Sequence, residues 1–300
     1  MIPKFPDFKK LEQSDRKEFE QSTSKFLPYS DFNFTSMWIW NINDSMMVSQ
    51  LNNNAVVIFS DYLSEKPLLS FIGKNKLSET TLELIAFSAK NYQMDSLQLI
   101  PEDMADTLVE GGFNVTPDIN SYDYIYSVAH LASMNNWPRS NLGKRIRQFT
   151  RLNPDYVVKL SSIQEISNNK HLEIFERWAR NKDIEDILEI NEYKAFKRLL
   201  QVEDKNIKVV SLYLKDALVG FTVYEILSND YAISHFAKAD INQHPAIYDV
   251  LNWEEAKILN TGGVKYYNWE QDLGIQSLRY SKEKYKPSFF LKKFIVNNKQ

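Results

Sequence analysis

The sequence predicts an α/β protein of mixed sheets in which one order of elements is used twice. Three observations predict it. Short runs rich in β-branched and aromatic residues alternate with helix-compatible segments along the whole chain. The order β-α-α-β-β-β-α-β-α-β can be written over residues 1–130 and again over 131–300, a period of about 150 residues. The 300 residues are 43% hydrophobic and 13% aromatic, with only 8 Gly and 10 Pro. That is the balance of a folded chain longer than one typical domain.

The first half opens with a short edge strand, Asp7 to Leu11. Ser14 caps a helix carrying Phe19 and Phe26. Ser30 and Asp31 open a second helix through the run FNFTSMWIW. Its Phe32, Trp38 and Trp40 are read as core, because aromatics at helical spacing pack inward. Strands follow from Met46 to Leu51, Ala55 to Ser60 and Leu68 to Ile72, the first pair joined by three asparagines that tolerate left-handed backbone. The Gly73-Lys74-Asn75-Lys76 loop reads as a tight turn before a helix from Ser78 to Asn91. A strand from Leu97 to Ile100, a helix from Pro101 to Gly111-Gly112 and a strand from Asp123 to Val128 complete this half.

Ala129 to Thr150 reads as a polar helical connector. A strand from Tyr156 to Leu160 comes next, then helices from Ile163 to about Asn181 and from Ile190 to Val202. Three strands follow: Ile207 to Leu214, Ala217 to Ile226 and Tyr231 to Lys238. Pro245 to Asn260 is a helix stopped by Gly262-Gly263. Val264 to Trp269 is a buried strand, Glu270-Gln271-Asp272 a polar break, Leu273 to about Tyr285 a helix, and Phe289 to Val296 the last strand. Ligands of open α/β sheets bind beyond the carboxyl ends of strands, so chemistry is expected at this last strand-to-helix junction.

Composition excludes several classes. The net charge of −3 gives no global attraction to nucleic acid or anionic lipid, so such a partner needs a local basic patch. No cysteine occurs, which removes disulfides, thiolate metal sites and thiol nucleophiles. The four histidines are scattered without metal-binding spacing, and no metal is implied. No Gly-x-Ser-x-Gly elbow marks a serine nucleophile. MIPKFPDFKK lacks an apolar signal core and no stretch has the length of a membrane span, so a cytoplasmic protein is expected.

The stretches PYSDFNFTSMWIWN, SFIGKN, DYIYSVAHLA, ISHFAKAD and NWEQDLGIQSLRYSKEKYKP resemble the family of the phosphatidylglycerol lysyltransferase C-terminal domain. The most specific part is the spacing Asn268–Glu270–Asp272–Leu273–Gly274…Leu278–Arg279…Lys282…Pro287. The resemblance implies two tandem GNAT-like acyltransferase domains, similar to Fem-type transferases, with splayed central strands around the donor. It also implies aminoacyl-tRNA as donor, although Ala237 stands where that family's strand carries Glu.

An acyl-CoA donor would need backbone amides around its pyrophosphate, and glycine usually permits that approach. No Gly occurs between Gly220 and Gly262, so this cradle is not visible in Asp240-Ile241-Asn242-Gln243-His244-Pro245. Glu270 and Asp272 are close enough to repel, which would raise one of them toward the range of a general base. Glu270 is therefore the candidate catalytic residue, orienting or deprotonating the nucleophile. Asp272 reads first as a helix cap and otherwise as a substrate contact. Arg279 and Lys282 share a helix face and, with Lys238 and Asn268, are candidates for binding substrate or donor. His235 shares a strand face with Ile233 and reads as a hydrogen-bonded core residue. Lys144, Arg145 and Arg147, flanked by Arg139 and Arg151, form the densest basic patch and the candidate RNA contact.

The function expected is acyl or aminoacyl transfer to an amine or hydroxyl. An acyl-CoA-dependent N-acetyltransferase and a non-catalytic ligand-binding protein on the same fold stay open as alternatives.

Overall fold

The computed structural model describes residues 1–60, 66–137, 140–166, 168–182, 184, 186–228 and 230–299. These form two compact units that are not consecutive in sequence. The first takes Met1–Tyr124, Glu270–Ser281 and Phe290–Gln300, and the second takes Ile125–Trp269 and Lys282–Phe289.

In the first unit, β1 (Lys9–Lys10), α1 (Arg16–Thr23) and α2 (Phe34–Trp40) precede β2 (Met47–Leu51), β3 (Asn54–Ser60) and β4 (Pro67–Ile72). The four strands form an antiparallel sheet in the order β1-β2-β3-β4. Asn52 and Asn53 have φ of 52° and 61°, the left-handed pair a two-residue hairpin needs. Phe32, Phe34, Met37 and Ile39 are buried, whereas Trp38 and Trp40 keep part of their surface. The Gly73 loop is a braced turn: Asn54 donates to the Asn75 carbonyl at 2.8 Å and accepts from the Asn75 amide at 3.1 Å. Next come α3 (Leu77–Tyr92), β5 (Ser96–Pro101), α4 (Glu102–Glu110) and β6 (Phe113–Pro117). The last was not expected from the sequence, because FNVTP is short and ends in proline. Leu84, Leu97, Ile100, Met104 and Phe113 close the core beneath these strands.

The second unit holds a seven-stranded sheet. Its elements are β7 (Asp123–Ser127) from Ile125 on, α5 (Val128–Ala132), α6 (Asn141–Leu152), β8 (Val157–Ser162), α7 (Asn168–Arg180), α8 (Asn191–Leu199), β9 (Ile207–Leu214), β10 (Ala217–Ile226), β11 (Tyr231–Ala239), α9 (Ile247–Thr261), β12 (Tyr266–Asn268), the end of α10 (Gln276–Glu283) and the first residue of β13 (Phe289–Leu291). Strand order is β13-β7-β12-β11-β10-β9-β8. The expected connector is two helices, and Arg139 and Ser167 lie outside the described residues. Phe175, Phe196, Phe221 and Phe236 stack into the core on one side of the sheet, with ring centroids 4.9–6.0 Å apart. On the other side α9 comes close to β10 at Gly220. A Cβ there would lie 2.9 Å from Leu251 and 3.0 Å from Ile247.

The last strand, β14 (Lys293–Asn298), is separate from β13 and belongs to the first unit. It pairs antiparallel with β5 on one side and β6 on the other. The two strands expected to end the two halves thus exchange places. β7 enters the seven-stranded sheet, and β14 is the middle strand of the three-stranded one.

Candidate functional site

The second unit contains a parted strand pair. β11 and β12 run parallel and pair only at Tyr231–Tyr266, Ala232–Tyr267 and Ile233–Asn268. β12 ends there while β11 continues to Ala239, so beyond Ile233 the edge that faced β12 has no strand partner among the described residues. Glu270, two residues past β12, has φ of 56°, a backbone no strand can continue. On its other edge β11 bulges at His235, where pairing passes from Tyr224–Ser234 to Val223–Phe236. His235 is buried with Nε2 3.2 Å from the Glu225 carboxylate, as expected of a core histidine.

Beyond the bulge, Lys238 places its ammonium 2.9 Å from Glu192 and 3.8 Å from the centre of the Trp178 ring. Burial lowers its pKa against the opposing pull of Glu192. The following loop spends four of the amides at and after it on its own acceptors. Asp240 accepts from the Asn242 amide at 3.2 Å and, through its carbonyl, from Gln243 at 3.1 Å. His244 accepts from Ala246 at 3.1 Å and from Ile247 at 3.3 Å. A buried carboxylate, that of Asp240, sits where a pyrophosphate would need donors.

Under the point of parting lies a polar cluster that the sequence reading did not single out. Glu255 of α9, Thr222 and Tyr224 of β10 and Tyr267 of β12 are each no more than 2% exposed. Burial pushes the Glu255 carboxyl up to about 7, with Thr222 and Tyr267 opposing, and raises the Tyr267 hydroxyl further above its ordinary range. A signal existed: Ile247, Leu251, Glu255 and Leu259 recur every fourth residue, which puts a carboxylate in the apolar row of a helix.

Asn268 is fully buried at the end of β12. Lys282, also buried, donates from its ammonium to the Trp269 carbonyl, while its own carbonyl accepts from the Tyr126 hydroxyl at 2.9 Å. On α6, Lys144, Arg147 and Arg151 are exposed at helical positions i, i+3 and i+7, and Arg147 also donates to the Asn135 carbonyl. Arg145 turns aside to Asp249 at 2.7 Å.

Glu270, Asp272 and Arg279 belong to the first unit, where the three consecutive side chains after β12 and Trp269 are all engaged. Glu270, half-buried, accepts from the Ser36 hydroxyl of α2 at 3.0 Å, and Gln271 accepts from Lys293 at 2.8 Å. Asp272 is caged by Arg279 at 2.7 and 2.9 Å, the Tyr124 hydroxyl at 2.6 Å and the Gly274 amide at 2.8 Å. Arg279 also donates to Asn120 at 2.9 Å. The expected mutual repulsion does not lift Asp272. Burial pushes its carboxyl up, and the bonds from Arg279, Tyr124 and Gly274 outweigh burial, so it titrates below the usual range. Its bond to Gly274 closes the turn leading to α10 rather than capping the helix itself. Lys293 lies fully buried between Asp31, with which it pairs, and Asp123 at 2.8 Å.

Among the described residues no cluster of three or more acidic, histidine or cysteine side chains is placed to hold a metal, and no helix is long and apolar enough to cross a membrane.

Comparison with known proteins finds one family whose description, "Phosphatidylglycerol lysyltransferase, C-terminal", matches residues 24–297. An uncharacterised protein of Mycoplasmoides gallisepticum is 23% identical over 295 residues, spanning 89% of this chain and 91% of that one. Among solved structures, a conserved protein of unknown function from Bacteroides thetaiotaomicron is 24% identical with a TM-score of 0.82, covering 100% of both chains. The L-PGS structure from Bacillus licheniformis is 12% identical with a TM-score of 0.64, covering 100% of this chain and 94% of that one. FemX is 8% identical with a TM-score of 0.58, covering 96% of each. At these identities the structural likeness establishes the fold.

Proposed function

The chain belongs to the phosphatidylglycerol lysyltransferase C-terminal family, and from that premise we propose that it transfers an aminoacyl group from aminoacyl-tRNA to an amine or hydroxyl acceptor in the cytoplasm. The acyl end of the donor enters between β11 and β12 of the second unit, where the edge of β11 past Ile233 offers main-chain groups to the ester carbonyl. The observation that carries this reading is the loop before α9. Asp240 and His244 take the amides of Asn242, Gln243, Ala246 and Ile247, which speaks against an acyl-CoA pyrophosphate there. The exposed cations of α6 supply the alternative grip, on RNA phosphates. Lys238, Asn268 and Lys282 support the second unit around the parted strands, and Asp272 with Arg279 does so in the first. Glu270, held by Ser36, is the residue proposed to orient the acceptor.

The test is filter binding of charged tRNA over a salt series. Replacing Lys144, Arg147 and Arg151 by Ala should weaken binding and reduce the slope of log K against log salt by about two to three. Consumption of the charged tRNA is followed in parallel, with Glu270→Gln as the slowed variant. Micromolar binding of CoA with none of charged tRNA would overturn the proposal in favour of an acetyltransferase. Failure to bind either would overturn both donor readings and favour the non-catalytic ligand-binding alternative.

A further inference from the structure

We propose that Glu255 is the proton reservoir of the transfer reaction, reached from the strand parting through Ser234 and Tyr267. This rests on the proposed aminoacyl transfer and assigns it a positioning residue that acts through its neighbours.

Tyr267 is in the second of the three β11–β12 pairs, and Ser234 is the first residue of β11 past the last pair. Ser234 is half-buried, whereas Tyr267 and Glu255 are 0% and 1% exposed. Ser234 thus keeps some exposure beside the parting, and the other two are sealed from solvent. Ser234 and Glu255 are both close enough to Tyr267 to act on its hydroxyl, and Thr222 reaches Glu255.

Glu255 Oε1, Thr222 Oγ1 and the Tyr267 hydroxyl are buried without a direct hydrogen bond. Among the described residues no cation pairs with Glu255. The ionisable groups on the elements around it are otherwise accounted for. Tyr224 of β10 and Tyr267 of β12 face it, and Glu254 of its own helix is taken by Tyr156 and Lys257. Arg145 of α6 is held by Asp249, and His130 of α5 stacks on Trp137. Lys208 of β9 lines an open depression of about 530 Å³ near the end of α9. A buried carboxyl without a cation costs several kcal/mol when ionised, and a glutamine or leucine would pack the same row without that cost. What a carboxyl adds is exchange of a proton near neutrality, and burial holds Glu255 at about 7.

The balance closes. The acceptor nitrogen or oxygen bonds to the ester carbon, and the bond from that carbon to the ribose oxygen breaks. The acceptor's proton passes to Ser234 and, once these side chains close the gaps that leave their oxygens without a direct bond, from Ser234 to Tyr267 and from Tyr267 to the Glu255 carboxylate. The return path protonates the departing ribose oxygen. Tyr267 relays by exchange and never ionises, consistent with its raised pKa.

The experiment is the pH–rate profile for consumption of a charged-tRNA pool by the full chain and its Glu255→Gln and Tyr267→Phe variants. A second readout is infrared titration of the Glu255 carboxyl, assigned as the band that Glu255→Gln removes. The parent rate should rise with pH through a midpoint near 7, where the carboxyl band also titrates. Both variants should lose that rise and run about a hundredfold slower near pH 8. Glu255→Gln, the same shape as the protonated acid, keeps the fold and separates proton exchange from packing. An active Glu255→Gln variant with the parental midpoint, or a carboxyl titrating in the ordinary range, overturns the relay alone. A parent inert toward every charged tRNA overturns the transfer reading and the relay with it.

Discussion

Replacing Glu255 by Gln should make the protein more stable at alkaline pH and leave it unchanged in acid. The carboxyl moves from an ordinary 4.5 to about 7 in the folded chain because burial disfavours its charge. A carboxyl raised in this way binds its proton more tightly folded than unfolded. Below about 4.5 it is protonated in both states and costs nothing. Between 4.5 and 7 the unfolded chain gains by ionising while the folded one resists, so stability falls as pH rises. Above 7 the loss is complete. At 1.36 kcal/mol per tenfold change in proton affinity it comes to about 3 kcal/mol. Glutamine has the size of the neutral acid and no charge to bury, so the variant escapes the loss. Guanidinium unfolding followed by tryptophan fluorescence should show coincident midpoints near pH 4.5. Near pH 8 the variant should unfold at higher denaturant with an unchanged slope. Equal midpoints at both pH values, or a variant weakened near pH 8, would refute an uncompensated buried carboxyl.

Two ion-paired cations, Arg279 and Lys293, test the first unit. Arg279→Ala leaves Asp272, 1% exposed, without its cation and should cost about 3 kcal/mol in thermal or denaturant unfolding. Arg279→Lys should recover only part, since an ammonium cannot reproduce the fork to both carboxylate oxygens. Lys293→Met leaves Asp31 and Asp123 buried without the charge between them and should cost about 3–5 kcal/mol. Adding Asp31→Asn and Asp123→Asn to that variant should restore most of the loss. Failure of the triple variant to recover would show that packing, not charge, holds this position.

Much of the local structure was legible because local rules set it. The Asn52-Asn53 and Lys215-Asp216 turns adopt the left-handed backbone such pairs accept, with φ of 48° and 67° in the second. The largely apolar run of Ala217–Ile226 and the stop at Gly262-Gly263 were equally plain. What sequence could not show was pairing across long separations. Phe289 to Val296 read as one strand of the second half, yet it divides near Lys292, and β14 pairs with residues about 180–200 positions earlier. Arg279 and Lys282 looked like one cationic face. Their partners, Asp272 with Tyr124 and the Trp269 carbonyl, are chosen by packing that spacing along a helix does not encode. Glu255 was legible as an anomaly, a charge in the row of Ile247, Leu251 and Leu259, but only the burial of Tyr267 and Thr222 beside it gives that anomaly chemical meaning.

The seat of β14 between β5 and β6 sets an order of events during synthesis. Both flanking strands leave the ribosome long before the piece that joins them. They wait with open inner edges while the entire second unit is being made. Until Lys293–Asn298 arrives, their only shelter is local helix packing and whatever folding helper the cell provides. The part of this protein translated first is therefore among the last to be finished.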